Sequence, residues 1–428
     1  MYLSDIKKLN IEERGSYDVI VAGGGPAGFA AAVCAARAGA KTLLIEQTSC
    51  VGGIATAGLM SHWTGDIDSK LFREVIERCN DKRDNPYVPE PEYRRFIDTE
   101  RLKLVFLEML TEAGAEILFY TFLSDVVTVD GAVKGVITEN KSGRGFYSAS
   151  VVIDATGDGD AAYKAGAEFC NGRETDGKKQ PATLMFKVGG VNDDKAVLLG
   201  SFESLYETPK GELQALAKRE LPHPAGHVLL YYNPLPGVVT VNMTNCIDVD
   251  GTKTEDVTKA EIVCRKQMYS IVDFLRKYVP GFENCYALTS ASLMGIRETR
   301  HFKGKYTLTE TDIYTARQFP DWIARGAYFN FDVHGMSGAG LDETGVQKKF
   351  EQVNGYTVPY GCLVPEKTEG LLLAGRCISG THLAHSNYRA MPICLAMGEG
   401  AGYAAAIAVK EKILPSAVDV KKIQNYLI

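Results

Sequence analysis

The sequence predicts an α/β chain with a Rossmann-like nucleotide-binding domain that is discontinuous and carries an inserted α+β domain. Three observations lead there. Residues 18–46 read DVIVAGGGPAGFAAAVCAARAGAKTLLIE, a strand, a glycine loop, an Ala-rich helix and a second strand ending in an acid. A buried-type strand, Val151 to Asp154, runs into a second glycine turn, DATGDGD. Near the other end, LLLAGR is a third short apolar run that ends at a glycine.

Each part of the first unit has a mechanical role. Gly23, Gly25 and Gly28 follow G-x-G-x-x-G. The first allows a tight turn, the second lets backbone approach a pyrophosphate, and the third lets helix and strand pack closely. Pro26 sits at the helix start, where a missing N–H costs nothing, with Ala27 beside it. The helix N-terminus offers N–H donors and partial positive charge to phosphates. Glu46, followed by Gln47, closes the second strand and suits ribose hydroxyls. All parts occur in order, which makes the dinucleotide reading specific.

Further along, Leu71, Phe72, Val75, Ile76 and Cys79 share one helical face in DIDSKLFREVIERCN. DTERLKLVFLEMLTEAGA is an amphipathic helix stopped by Gly114. Residues 116–140 read as strands with an Asp130-Gly131 hairpin turn. The middle holds strands around ATLMFKVGG and a long helix, TEDVTKAEIVCRKQMYSIVDFLRKYV. The last long helix opens at Met391-Pro392-Ile393 behind a polar, basic loop containing His385 and Arg389. Ala396, Gly400 and Ala404 form a bare stripe along it. The expected boundaries are 1–65, 95–172 and 356–428 for the nucleotide-binding domain, 66–94 for a helical insertion and 173–355 for a substrate or cap domain.

Composition narrows the function. The 428 residues are 45% hydrophobic and 23% charged, as in globular domains. No apolar run reads as a membrane span, and the N-terminus lacks the apolar core of a signal peptide. The expectation is a cytoplasmic protein with no membrane partner. A net charge of −6 and no basic stripe argue against nucleic acid. The 10 cysteines include no C-x-x-C, and Cys34, Cys264 and Cys394 read as small core residues. His382-x-x-His385 lacks a third ligand nearby in sequence, so no metal site is expected.

Beyond Glu46, the stretch SCVGGIATAGLM adds Gly52 and Gly53, which would let an extended cofactor run beneath the backbone. This resembles FAD-binding proteins of the glutathione-reductase-like group. The dithiol chemistry of the disulfide reductases is not expected, since Cys50 stands alone there. The match sharpens in MGIRETRHFKGKYTLTETDI and AGRCISGTHLAHSNYRAMPICLAMGEGAG. With the first glycine loop, these segments resemble the FAD-dependent oxidoreductase family over nearly the whole chain. The resemblance implies that FAD is the cofactor and that Leu123, Ala155, Thr156, Gly157 and Gly375 line its site. It places Arg376 where relatives have Asp, and a role neutralising the pyrophosphate follows. His301 stands where the family has a second basic residue after Arg300.

The reading is therefore an FAD-dependent oxidoreductase. It transfers hydride between flavin N5 and a small, anionic, unidentified substrate, with an unidentified electron donor or acceptor. Met391, Pro392 and Ile393 place a helix N-terminus at the flavin edge that becomes negative on reduction. No second G-x-G-x-x-G follows a strand, so no separate nicotinamide domain is expected. Arg300, His301, His382 and Arg389 are the catalytic candidates, with Arg297, Glu298 and His385 beside them. Arginine suits bidentate anion recognition and histidine suits proton transfer. The alternatives are an RNA-modifying flavoprotein, disfavoured by the acidic charge, and a flavin-binding protein without turnover. Oligomeric state is open.

Overall fold

The computed structural model describes residues 5, 11–81, 94–345 and 355–428. β1 (Glu12–Ala22), α1 (Pro26–Arg37) and β2 (Thr42–Ile45) form the expected first unit. β3 (Asp66–Asp68), α2 (Lys70–Cys79), α3 (Thr99–Ala113) and β4 (Glu116–Leu118) follow. The Ser69 hydroxyl caps α2 by accepting from Phe72 N–H, and Asp98 caps α3. Gly114 ends α3 at φ +79°, a conformation that disfavours a Cβ. β5 (Phe122–Val129) and β6 (Ala132–Asn140) are joined through Asp130 and Gly131, both at positive φ, as a type I′ turn requires. β7 (Gly143–Asp154), α4 (Asp160–Lys164) and β8 (Phe169–Asn171) complete this half.

A seven-stranded sheet orders these strands β4-β2-β1-β7-β6-β5. β4, β2, β1 and β7 run parallel, and β18 (Leu371–Leu373) joins the end of β7, also parallel. Ala22 pairs with both Ile45 and Asp154, and Asp154 with Leu373. The carboxyl ends of four parallel strands are thus level, and the crevice beyond such ends is where α/β sheets bind ligands.

The middle contains β9 (Phe186–Gly189), the ribbon β10 (Glu207–Thr208) and β11 (Gly211–Glu212), α5 (Leu213–Glu220), β12 (Leu230–Tyr232), β13 (Val239–Val241), α6 (Thr254–Tyr278) and β14 (Tyr286–Ser290). Its sheet runs β12-β13-β9-β14, all antiparallel. One face of α6, including Cys264, Ile271, Val272 and Leu275, is buried against it. Then come β15 (Arg300–Phe302), α7 (Glu310–Tyr314), β16 (Trp322–Tyr328) and β17 (Tyr356–Pro359). The chain closes with α8 (His382–Tyr388), α9 (Met391–Glu411) and α10 (Val420–Leu427).

Packing divides the chain differently from the expected boundaries. One apolar core spans Ala182 to Met294 and includes Leu59. The other takes the nucleotide-binding segments, and also Leu71, Phe72 and Val75 of α2 and Phe302, Leu308, Ile313, Ile323 and Phe331. So residues 66–79 are no separate insertion, and 300–331 do not pack with the cap. The cause is strand exchange over long separations: β3 pairs with β16, and β15 with β8. Residues 82–93 and 346–354, inside the expected 66–94 and 173–355 segments, lie outside the described residues.

Two expectations about the C-terminal helix change. The polar loop before it is helical, as α8, capped by the Thr381 hydroxyl on Ala384 N–H. And α9 is long and apolar enough to cross a membrane by length and composition, although 89% of its apolar window is buried inside the protein. Its approach to α1 is made by Gly398 and Gly402. A Cβ on Gly398 would stand 2.0 Å from Ala27 O, and one on Gly402 2.4 Å from Ala31 O. Gly400 faces β16 instead, against Ile323.

Glu399 lies between these glycines, buried, accepting a hydrogen bond from Ser69 Oγ. Burial raises its pKa to about 7, against the lowering effect of the Ser69 bond. A raised carboxyl pKa favours the fold below the unfolded value and loses that advantage as pH rises through about 7. Glu399→Gln is expected to match the native protein in thermal stability near pH 5 and to exceed it near pH 8. Melting curves at both pH values check this, and equal shifts at both would contradict it. Gly402→Ala is expected to cost about 1–3 kcal/mol by overpacking the α1–α9 contact, read as a lowered melting temperature.

Candidate active site

The glycine loop has the geometry its spacing implies. Gly23 sits at φ +90°, and a Cβ there would lie 2.5 Å from Ala155 O. A Cβ on Gly28 would lie 1.8 Å from Gly23 O, so strand and helix touch at this point. A Cβ on Gly25 meets nothing within 4 Å. Gly25 is also the N-cap of α1, without a side-chain cap, so the helix end opens onto free space. Gly52 N–H donates to Gly24 O (2.7 Å), and the Cβ position of Gly53 is 3.1 Å from Gly25 Cα. The two glycine pairs, far apart in function by sequence alone, form one cradle.

Glu46 is buried and accepts from Gly24 N–H and Thr48 N–H, each at 2.7 Å. Gln47 is exposed. Thr121 N–H donates to Glu46 O, which brings the start of β5, with buried Leu123, to the same edge. Ala155 N–H donates to Ala22 O, and Asp154 holds the following turn by accepting from Thr156 and from Ala162 N–H. Burial raises the Asp154 pKa to about 6 despite those bonds. Gly157 is at φ +84° with Arg376 directly over it. The Cβ position of Gly375 is 3.1 Å from Ala27 Cβ. Arg376 pairs with Asp158 at 3.1 Å, so its charge is already matched by a carboxylate. Met391, Pro392 and Ile393 are buried at the start of α9, whose N-cap, Ala390, has no side-chain to offer it.

Beside this cradle lie two polar clusters. In the first, Glu298 is fully buried. Its Oε1 accepts from His301 Nε2 (2.9 Å) and His382 Nδ1 (2.6 Å), and its Oε2 from Gln180 N–H (3.2 Å). Burial opposes its ionisation, but the bonds from His301 and His382 prevail and hold its pKa below the usual carboxylate range. The His385 ring is buried 4.6 Å from that of His301, and burial, then His301, keeps it neutral. In the second cluster, Arg389 Nη2 donates to Asp332 Oδ2 (2.8 Å), Asp332 O (2.7 Å) and Gln180 Oε1 (3.4 Å). His334 Nε2 is 3.3 Å from Asp332 Oδ2. Burial opposes a charge on Asp332, yet His334, Arg389 and Arg297 hold it ionised well below the usual range. Burial and then Arg389 lower the Arg297 pKa to about 10, while burial and then Arg297 lower that of His334 to about 4. Gln180 joins the clusters, with its backbone on Glu298 and its side chain on Arg389 and His334 N–H.

A family model described as FAD dependent oxidoreductase matches residues 18–427. The chain belongs to that family. It is an FAD-dependent enzyme, as the open helix end and the double glycine cradle suit. A thiamine thiazole synthase of Aeropyrum pernix is 35% identical over 155 residues, 33% of this chain and 54% of that protein. One from Saccharolobus islandicus is 29% identical over 153 residues, 33% and 54% of the two chains. The chain spans about half the length of the curated relatives it matches. A geranylgeranyl bacteriochlorophyll reductase-like structure from Thermoplasma acidophilum superposes with TM-score 0.49 at 14% identity, covering 96% of this chain and 82% of that one. A p-nitrophenol 4-monooxygenase from Pseudomonas putida gives TM-score 0.49 at 12% identity, covering 97% and 84%.

The four catalytic candidates of this flavoenzyme separate in the structure. His301 and His382 meet on Glu298, and Arg389 lies one residue away through Gln180. Arg300 does not join them. Successive side chains of a strand point to opposite faces, so when His301 enters the cluster, Arg300 leaves it. Its guanidinium binds Asp158 O and Asp160 Oδ1 (both 3.0 Å) and covers the Tyr163 ring. Arg300 ties β15 to the DATGDGD turn. Gln180, Asp332 and His334 were not singled out by sequence reasoning. No local motif marks Gln180 or Asp332, and His334 stands in a glycine-rich stretch, HGMSGAG.

Arg300→Ala is expected to lower the melting temperature by loosening that tie, while Arg300→Lys, which cannot bridge both oxygens in one plane, restores only part. Turnover per folded, FAD-loaded molecule should change little; a collapse of turnover with unchanged stability would return Arg300 to the chemistry.

Proposed function

We propose that this flavoenzyme transfers hydride between FAD and a small anionic molecule held by Arg389 and Arg297. The observation that carries the reading is a charge imbalance. Two guanidiniums face one carboxylate, Asp332, and the adjoining His334 is neutral at physiological pH. One half-buried positive charge is left over by these groups, and a charge largely withdrawn from water favours a partner. Arg389 Nε and Gln180 Nε2 are buried donors with no hydrogen-bond partner among the described residues. A carboxylate or phosphate of the substrate supplies both the charge and the acceptors.

In this reading Gly23, Gly25, Pro26, Ala27 and Gly28 hold the cofactor pyrophosphate on the α1 N-terminus, and Glu46 takes the ribose. Gly52, Gly53, Leu123, Ala155, Thr156, Gly157 and Gly375 border the cofactor. Met391, Pro392 and Ile393 direct the N-terminus of α9 at the edge that gains negative charge. When bound, FAD supplies the site that accepts or donates hydride. Arg376, neutralised by Asp158, serves to order the Gly157 turn rather than to pair with phosphate.

The test is anaerobic bleaching of the flavin by a panel of small carboxylates and phosphates, each beside its uncharged ester or amide. With any compound that bleaches, Arg389→Ala and Arg297→Ala are expected to raise KM about 10- to 100-fold, the worth of a hydrogen bond to a charged group. FAD content should stay normal. Equal reactivity of the uncharged analogues, or unchanged KM in both variants, would refute the anion site. For the cofactor, Gly25→Val is expected to abolish FAD retention without lowering the melting point of the cofactor-free protein, because its Cβ meets no protein atom. A yellow Gly25→Val protein would contradict the placement.

A further inference from the structure

His382-x-x-His385 looked ligand-poor in sequence, but the fold brings it third and fourth partners. One ligand atom each from Glu298, His301 and His385 lie within 4.8 Å of one another, all three residues buried. Two ligand atoms about 2.1 Å from a metal, set 90–109° apart, stand about 3.0–3.4 Å from each other. Glu298 Oε1 and His301 Nε2 are 2.9 Å apart, close to that spacing with a proton between them.

The charge balance of this cluster is the reverse of its neighbour's. Glu298 is a buried carboxylate whose hydrogen-bond donors are two imidazoles and a backbone amide. The guanidiniums that act on His385, Arg389 and Arg376, are each matched by a carboxylate, at 2.8 Å by Asp332 and 3.1 Å by Asp158. Among the described residues Glu298 pairs directly only with His301 and His382 and with no Lys or Arg, and a buried carboxylate without such a pair is costly. Meanwhile His301 Nδ1, His382 Nε2 and His385 Nδ1 are buried nitrogens with no hydrogen-bond partner among the described residues. The Glu298 carboxylate, the His301 nitrogen that faces it and the His385 ring with its unpartnered nitrogen make the donor set of a cation.

We propose that Glu298, His301 and His385 bind one divalent transition-metal ion, with His382 as the outer residue that orients the ligating carboxylate. Two histidines and one carboxylate suit Zn2+ or Fe2+, and leave positions open for water or a substrate oxygen. His382 Nδ1 on Glu298 Oε1 is the hydrogen bond that fixes a ligating carboxylate from outside. Binding displaces the proton between Glu298 and His301. It also ties α8, through His385, to β15, through His301.

The experiment uses the FAD-loaded protein, dialysed against a chelator and then exposed to Zn2+ in one arm and, without oxygen, to Fe2+ in the other. Metal is measured by elemental analysis after gel filtration, and the flavin spectrum reports the fold. One equivalent is expected in at least one arm. His385→Ala should lose it, His382→Gln should weaken it about 10- to 100-fold, and His223→Ala, in an exposed loop, should retain it. If Glu298→Gln does not fold, His385→Ala decides alone. Absence of stoichiometric uptake in both arms, or full uptake by His385→Ala, overturns the site. Neither result depends on finding the substrate.

Discussion

The backbone-to-backbone contact of α9 on α1 is the constraint from which the site follows. Gly398 and Gly402 let the last long helix lie where a side chain would collide with Ala27 O and Ala31 O. Ala27 also meets Gly375, two residues past the end of β18. One turn of α1 is thus gripped by the C-terminal strand on one side and the C-terminal helix on another. The start of α9 and the start of α1 are set relative to each other by packed backbone, which has no rotamers to relax into. Helix N-termini placed that rigidly can serve a long, extended dinucleotide at two points without reorganising.

The polar half of the site is organised by charge rather than by packing. Two adjoining clusters carry opposite surpluses: two arginines on Asp332, and one carboxylate among imidazoles at Glu298. Gln180 spans them, offering its N–H to the carboxylate and its carbonyl to the arginine. An amide is suited to that position, since it satisfies both sides and adds no charge of its own. Substituting a carboxylate at 180 would cancel the arginine surplus and repel Glu298, and a cation would do the reverse. The separation of charge survives because the bridge is neutral.

Local signals carried the nucleotide half of the fold. The loop Gly23–Gly28, the strand end before Glu46, the Asp130-Gly131 turn and the stop at Gly114 each state their backbone geometry within a few residues, and that geometry is present. What sequence could not show was pairing over distance. Nothing in DIDS says that Asp66–Asp68 will lie beside Trp322–Tyr328, so the sequence suggests an insertion where a strand of another sheet forms. The same blindness hid the clusters. His382 and His385 were visible, but Glu298 reaches them from 84 residues away and Gln180 from a loop without pattern. Arg300 and His301, adjacent in the chain, were taken together until the strand alternation sent them to opposite sides.

That alternation sets what the side chain at 301 must do. A permanently charged side chain at 301 would enter the buried cluster already occupied by His382 and His385, close to the paired Arg389 and Arg376. It would neutralise Glu298 outright and leave the imidazole nitrogens without a role. Histidine instead donates one hydrogen to Glu298 and keeps its second nitrogen bare. With histidine at 301, Glu298 is left hydrogen-bonded to imidazoles and a backbone amide, without a Lys or Arg ion pair among the described residues. A buried site in that condition is destabilised until something binds. The local cost at Glu298 is thereby coupled to whatever fills the site.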